Sequence, residues 1–268
     1  MNEVPKPQRW ADLDPEPSIV AALRHAGKRP VAGIQDEKRH WSERFADACA
    51  VAIADELRGC DLKDKKILPV DLASGTEPLT PLGSATRKRI DVTVVDKVLG
   101  LEIGVSLKGL NFRDRKSGNF DKNLTGRLYE LGDEMRLVHE HLPHAFMVGL
   151  FFLPIESSAD KSDRANSSFA NTVIKLRERT GRLDVALVGQ APRCDLGFVA
   201  LYTTGEEKEG YPPGIIRFLD VEKLPPRRGR PQVEHTLSLR EAVTETVARA
   251  TFNLSVEWSE PESEPPEN

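Results

Sequence analysis

The chain has 268 residues, enough for one substantial domain with a full hydrophobic core or at most two small ones, and one is expected. With 39% hydrophobic and 30% charged residues and a mean hydropathy of -0.42, the composition is that of a globular chain, neither disordered nor membrane-embedded. The formal net charge of -4 speaks against indiscriminate coating of nucleic acid, which depends on Lys and Arg neutralising phosphates, but leaves room for local basic patches.

The opening stretch MNEVPKPQRWADLDPEP carries mixed charge and no apolar run, so neither a signal nor a transit peptide is expected and the cytoplasm is the expected compartment. Residues 1–30 read as an N-terminal arm, loose to about residue 16 and then helical over 18–25. A core domain is expected over 31–222. It opens with an amphipathic helix over 41–57, where Phe45, Cys49, Ile53 and Leu57 recur at helical spacing and Gly59 is placed to stop it. A short strand over 66–72 and a Gly/Pro/Thr-rich loop over 74–86 follow.

Two strands then alternate cleanly. Ile90, Val92 and Val94 are expected on one face with Arg89, Asp91 and Thr93 on the other; Leu101, Ile103, Val105 and Leu107 alternate with Glu102, Gly104, Ser106 and Lys108. A turn near 96–100 makes this a hairpin, with Asp91 opposite the region 104–106. Beyond a basic loop over 111–123, the pattern predicts a helix over 124–141, a strand buried on both faces over 145–153, and a helix over 167–180. Strands are expected over 184–188, 196–202 and 215–219, completing an α/β class with a central mixed sheet flanked by helices. Residues 223–257 read as a basic Pro/Arg linker and an accessory helix over 238–252, and 258–268 as an acidic disordered tail.

The polar face of the hairpin gathers the groups that phosphodiester hydrolysis needs. A divalent cation stabilises charge growing on phosphorus, carboxylates hold the cation, and a further group orients the attacking water. Mg²⁺ takes hard oxygen ligands and usually only one or two protein carboxylates. Asp91 supplies one, and Lys108 lies on the same face of the neighbouring strand; the plainer alternative is a surface salt bridge across a hairpin. His139, His141 and His144 cluster at a helix end, where His satisfies carbonyls more often than it binds metal. Cys49, Cys60 and Cys194 are too scattered for a disulfide framework or zinc site and read as ordinary buried thiols.

Helix, strand, an acid-bearing strand, a strand ending in x-Lys, a helix and a buried strand, over about 41–153, is an order that resembles the PD-(D/E)xK nuclease superfamily. Asp91 matches its metal-binding Asp, and Ser106-Leu107-Lys108 occupies the (D/E)xK position; Ile90 stands where the nominal Pro would be, and Ser106 where the second acid would be. The chain is also similar to tetrameric restriction enzymes of that superfamily that carry Ser-x-Lys and take the missing carboxylate from the following helix. The resemblance implies a restriction-endonuclease-like core, Mg²⁺, DNA as substrate, a defence role and a dimer or larger assembly. It further implies a metal site of Asp91, the Leu107 carbonyl and a second acid, either Glu130 on the helix or Glu102 on the hairpin, with Glu43 of the first helix as a third acid or merely an edge carboxylate.

Arg113, Arg115, Lys116, Asn119, Lys122, Asn123 and Arg127 follow Lys108 closely and are the expected DNA contacts. Arg228-Gly229-Arg230-Pro231 resembles an AT-hook core, in which an extended backbone lays Arg side chains in a narrow minor groove; the match is short, and a flexible Pro/Arg linker is the plainer explanation.

Overall fold

The computed structural model describes residues 8–62, 64–74, 89–181 and 192–254. The expected strand over 184–188, most of the 74–86 loop and the acidic tail lie outside the described residues. The chain is α/β, built on a six-stranded mixed sheet in the order β1-β2-β3-β4-β5-β6. The strands are β1 (Lys66–Leu68), β2 (Val92–Asp96), β3 (Gly100–Gly109), β4 (Phe146–Pro154), β5 (Leu196–Tyr202) and β6 (Ile216–Asp220). The β1/β2, β2/β3 and β5/β6 pairs are antiparallel, while β3/β4 and β4/β5 are parallel. Parallel neighbours need a crossover, and helices α3 (Leu124–His141) and α4 (Ser168–Arg177) fill the two connections. β1 stops before Pro69, which has no amide N–H to donate to a ladder.

Helices cover both faces. Against one face lie α1 (Pro17–Ala26), α2 (Gln35–Arg58) and α5 (Leu239–Leu254), whose Ile19, Trp41, Phe45, Ile53 and Val243 share a core with Val92, Val94, Ile103, Val105 and Phe152. The alanines Ala48, Ala52 and Ala54 are buried there too, and their small side chains bring α2 close to the sheet. Against the other face α3 and α4 contribute Leu128, Leu131, Met135, Phe169 and Val173 to a core with Ile90, Met147, Phe151 and Val199. With helices on both sides, β4 is buried along its whole length, as its unbroken apolar sequence requires.

The segments expected as a loose arm and an accessory linker are held against the body. Trp10 is buried in the α3-side core and its Nε1 donates to Pro231 O at 2.9 Å, fastening the N-terminal segment to the 226–231 strip. No helix among the described residues is long and apolar enough to cross a membrane.

Candidate active site

The β2/β3 ladder begins at Val92 opposite Val105, so Asp91 stands one step beyond it, beside Ser106. There the chain bends: Ile90 packs into the α3-side core, whereas Val92 and Val94 pack against α2. Ile90 therefore does not share a face with Val92, as strict alternation predicts, because no ladder holds residues 89–91 in a flat pleat. Asp91 is left at the strand's mouth, where its Oδ2 accepts the Leu107 amide N–H at 2.7 Å and fixes the carboxylate relative to β3.

On β3, Ser106 and Lys108 point toward α3 and are both buried. Gly104, on the same face, makes room for Met147 of the neighbouring strand: a Cβ there would sit 2.6 Å from the Met147 sulfur. The residue that meets them is Glu134. Lys108 Nζ donates to its Oε1 at 2.9 Å and its Oε2 at 3.0 Å, and the Ser106 hydroxyl donates to Oε2. Glu134 has 7% exposure, so the pair sits where its mutual attraction is little screened. A cleft on the other side of Asp91 is lined by Asp47, Ala50, Val51, Pro69, Asp71, Leu72, Arg89 and Asp91. Burial pushes the Asp91 carboxyl above the usual carboxylate range; the Leu107 N–H and the Lys108 charge oppose that, and the Glu134 and Asp47 carboxylates add to it.

The expected acids fare unequally. Glu130 is exposed and paired with Arg127 at 2.7 Å, away from the hairpin. Glu102 is buried, but its Oε1 binds Lys65 Nζ at 2.7 Å, and Lys65 also binds Asp96 at 2.6 Å. It lies four residues before Ser106 on β3, about 13 Å along a strand. Glu43 is exposed; the α2 acid at the cleft is Asp47, one turn later. Leu107 contributes its amide N–H, and its side chain is in the α2-side core. Sequence reasoning thus missed Glu134 and Asp47. The signal for Glu134 was a carboxylate three residues after Leu131 and four before Val138, on the flank of the buried stripe of α3.

No group of three or more His, Cys, Asp or Glu arranged to hold a metal occurs among the described residues. Asp91 and Glu134 are hard oxygen donors of the kind Mg²⁺ takes, and two carboxylates are as many as it usually requires. The Asp91 carboxyl, raised chiefly by burial and to a lesser degree by the Glu134 and Asp47 charges, is the kind of group that a bound cation relieves. His141 Nδ1 lies 2.9 Å from Leu137 O and His144 Nε2 lies 3.0 Å from Leu99 O, so these two rings meet backbone carbonyls. Cys49 and Cys194 are buried, and burial lifts the Cys194 thiol to about 11, which makes it inert.

The basic loop is ordered by its own acid. Asp114 accepts the Lys116 and Ser117 amides and the Lys122 ammonium at 2.6 Å; Arg113 donates to Gly118 O at 2.9 Å and lies over the Phe120 ring. Arg115, Lys116 and Asn123 are exposed and Asn119 is half-buried. The Arg228-Gly229-Arg230 segment is not an extended hook. Gly229 has φ +89° and its N–H binds Ser158 O at 2.7 Å, while Arg228 pairs with Asp163 and Arg230 with the Tyr211 hydroxyl.

Comparison of the chain with protein-family models, curated proteins and solved structures finds no match.

Proposed function

We propose that this protein is a Mg²⁺-dependent endonuclease that hydrolyses DNA phosphodiester bonds, of the PD-(D/E)xK kind with its second acid displaced to the following helix. A sequence-specific restriction or defence role, exercised as a dimer or larger assembly, belongs to the same reading, because cutting both strands is simplest with paired sites. The observation that carries it is the buried cluster of Ser106, Lys108 and Glu134, with Asp91 fixed to the intervening Leu107 N–H and within electrostatic reach of Lys108 and Glu134. Asp91 and Glu134 are the residues that would hold the cation, which when bound neutralises charge growing on the phosphorus oxygens.

The chain's own groups do the rest. Leu107 N–H keeps the Asp91 carboxylate oriented, and Ser106 does the same for Glu134. Lys108, a point charge with three donors, is held by Glu134 so that its remaining donor capacity can orient the scissile phosphate and the water that attacks it. Hydrolysis adds water across one P–O bond: the water's oxygen joins phosphorus, the opposite P–O bond breaks, and the departing oxygen takes up a proton.

A second reading has one observation in its favour. Both Glu134 oxygens are engaged by Lys108 and Ser106, a self-sufficient arrangement that suits a DNA-binding or assembly subunit that keeps the fold and has lost the chemistry. Incubating the purified protein with phage and plasmid DNA, with and without Mg²⁺, beside Asp91→Ala and Lys108→Ala, separates the two. Metal-dependent fragments absent from both variants are the expected result. Binding without cleavage, unchanged by either substitution, would overturn the nuclease reading in favour of the silent subunit.

A further inference from the structure

Three segments distant in sequence meet at one end of the sheet: the 110–123 loop after β3, the 155–167 stretch after β4, and the 226–230 strip. β3 and β4 are parallel, with Gly109 opposite Phe152, so the first two leave the sheet side by side, just beyond Lys108. Hydrogen bonds then lock them together. Phe120 N donates to Asp160 at 3.1 Å, Asp121 N donates to Ser168 Oγ at 3.1 Å, and Lys161 pairs with Asp121. The strip is fastened to the second segment by Gly229 N to Ser158 O at 2.7 Å and Ser167 N to Arg227 O at 2.9 Å.

Residues 111–123, 156–167 and 226–230 carry nine Lys and Arg against five Asp and Glu, whereas the whole chain carries 38 against 42. All five acids are committed to partners: Asp114 to Lys122, Asp121 to Lys161 and Asn171, Asp160 to Ser168, Glu156 to Arg29, and Asp163 to Arg228, which leaves Arg115, Lys116, Arg164, Arg227 and Arg230 among the cations in excess. Arg115, Lys116, Arg164, Arg227, Arg228 and Arg230 are exposed. We propose that these three segments form one continuous phosphate-binding face for duplex DNA, with the Arg-Gly-Arg strip as its far edge rather than a separate tethered hook. Single-stranded nucleic acid is gripped by exposed aromatic platforms, and the loop's aromatics turn inward instead: Phe120 is buried, and Phe112 packs edge-on to Trp41 at 5.6 Å. Arg113, Arg227 and Arg228 donate to the Gly118, Asp163 and Ala159 carbonyls, and cations fixed in this way suit phosphates held at regular spacing along a duplex.

The proposal rests on the nuclease reading for its substrate but needs no metal, so the two can fail separately. Anisotropy of a labelled mixed-sequence duplex is followed in EDTA over a series of KCl concentrations, for Arg115→Ala/Lys116→Ala, Arg164→Ala and Arg227→Ala/Arg228→Ala. Each variant should bind more weakly and flatten the slope of log K against log salt by about 0.9 for each phosphate that is no longer neutralised, with larger effects when variants are combined. Arg136→Ala, which removes an exposed cation of α3 outside the three segments, should bind like the parent. Circular dichroism checks folding, and because Arg115, Lys116 and Arg164 are exposed, the first two variants decide the matter even if the third unfolds. Unchanged affinity in those two, or tighter binding to single-stranded DNA or RNA of the same length, would overturn the proposal. Duplex binding of the expected kind without any Mg²⁺-dependent cleavage would sink the nuclease reading and leave the face standing.

Discussion

Glu130 and Glu134 are one turn apart on α3 and live in opposite surroundings, the first exposed beside Arg127, the second buried against Lys108 and Ser106. Removing one member of a buried pair leaves the other charge uncompensated, at a cost of about 3–5 kcal/mol, whereas an exposed pair contributes at most about 1 kcal/mol. Glu134→Ala should therefore lower the urea midpoint strongly and abolish cleavage. Glu130→Ala should move stability by less than about 1 kcal/mol and leave activity intact. Equal midpoints for the two variants would contradict this assignment of the displaced acid. Ser106 and Lys108 were legible because a two-residue period fixes which side chains share a strand face, and Asp91 because the hairpin register puts it one step past Val92, although alternation itself breaks there. Glu134 was not, since its role depends on helical phase: the two acids differ by only about 40° around the helix, less than unaided periodicity resolves. The same limit hides that Asp47, rather than Glu43, is the α2 acid at the cleft.

The elements themselves were written plainly. Leu124–His141 and Leu196–Tyr202 follow the apolar spacing at both ends, while β1 is cut short by Pro69 and α2 begins at Gln35, where Glu37 accepts the Ile34 amide at 3.1 Å. What spacing does not reveal is how elements lean on each other. Gly104→Ala would force a Cβ to within 2.6 Å of the buried Met147 sulfur, so it should cost about 1–3 kcal/mol in a thermal or denaturant melt; an unchanged melt would mean that β3 and β4 are not so close. The loop's anchorage carries a pH signature. Burial raises the Asp121 carboxyl, but Lys161, Asn171 and Ser168 together outweigh it and hold it below its ordinary value. Its stabilising contribution is thus present above the unfolded value near pH 4 and is lost as pH falls through the lower folded value. Asp121→Asn should cost about 1 kcal/mol at pH 7, the gap to the parent closing below about pH 4 in a series of urea melts.

At the scale of the molecule, the sequence suggested a core with appendages, because Pro- and Arg-rich stretches at both ends look like linkers when read locally. Trp10 on Pro231, α1 against α2, and Leu239, Ala242 and Val243 in the same core as Ile103 and Phe198 argue otherwise: the ends close the faces of the sheet. These are contacts between residues more than two hundred positions apart in the case of Trp10, which no local pattern encodes. If α5 were an accessory helix, its substitution would produce a separate early transition or none. If it completes the core, Val243→Ala should lower the midpoint of one cooperative transition by the equivalent of about 1–3 kcal/mol, with circular dichroism and the fluorescence of buried Trp10 and Trp41 moving together in a Trp258→Phe background. Non-coincident transitions would make α5 an independent unit and return the 223–257 region to the role of an appendage. The outcome bears on function as well, since the 226–230 strip lies between β6 and α5, and an anchored α5 adds to the Ser158, Ser167 and Trp10 hydrogen bonds that hold this connection in place.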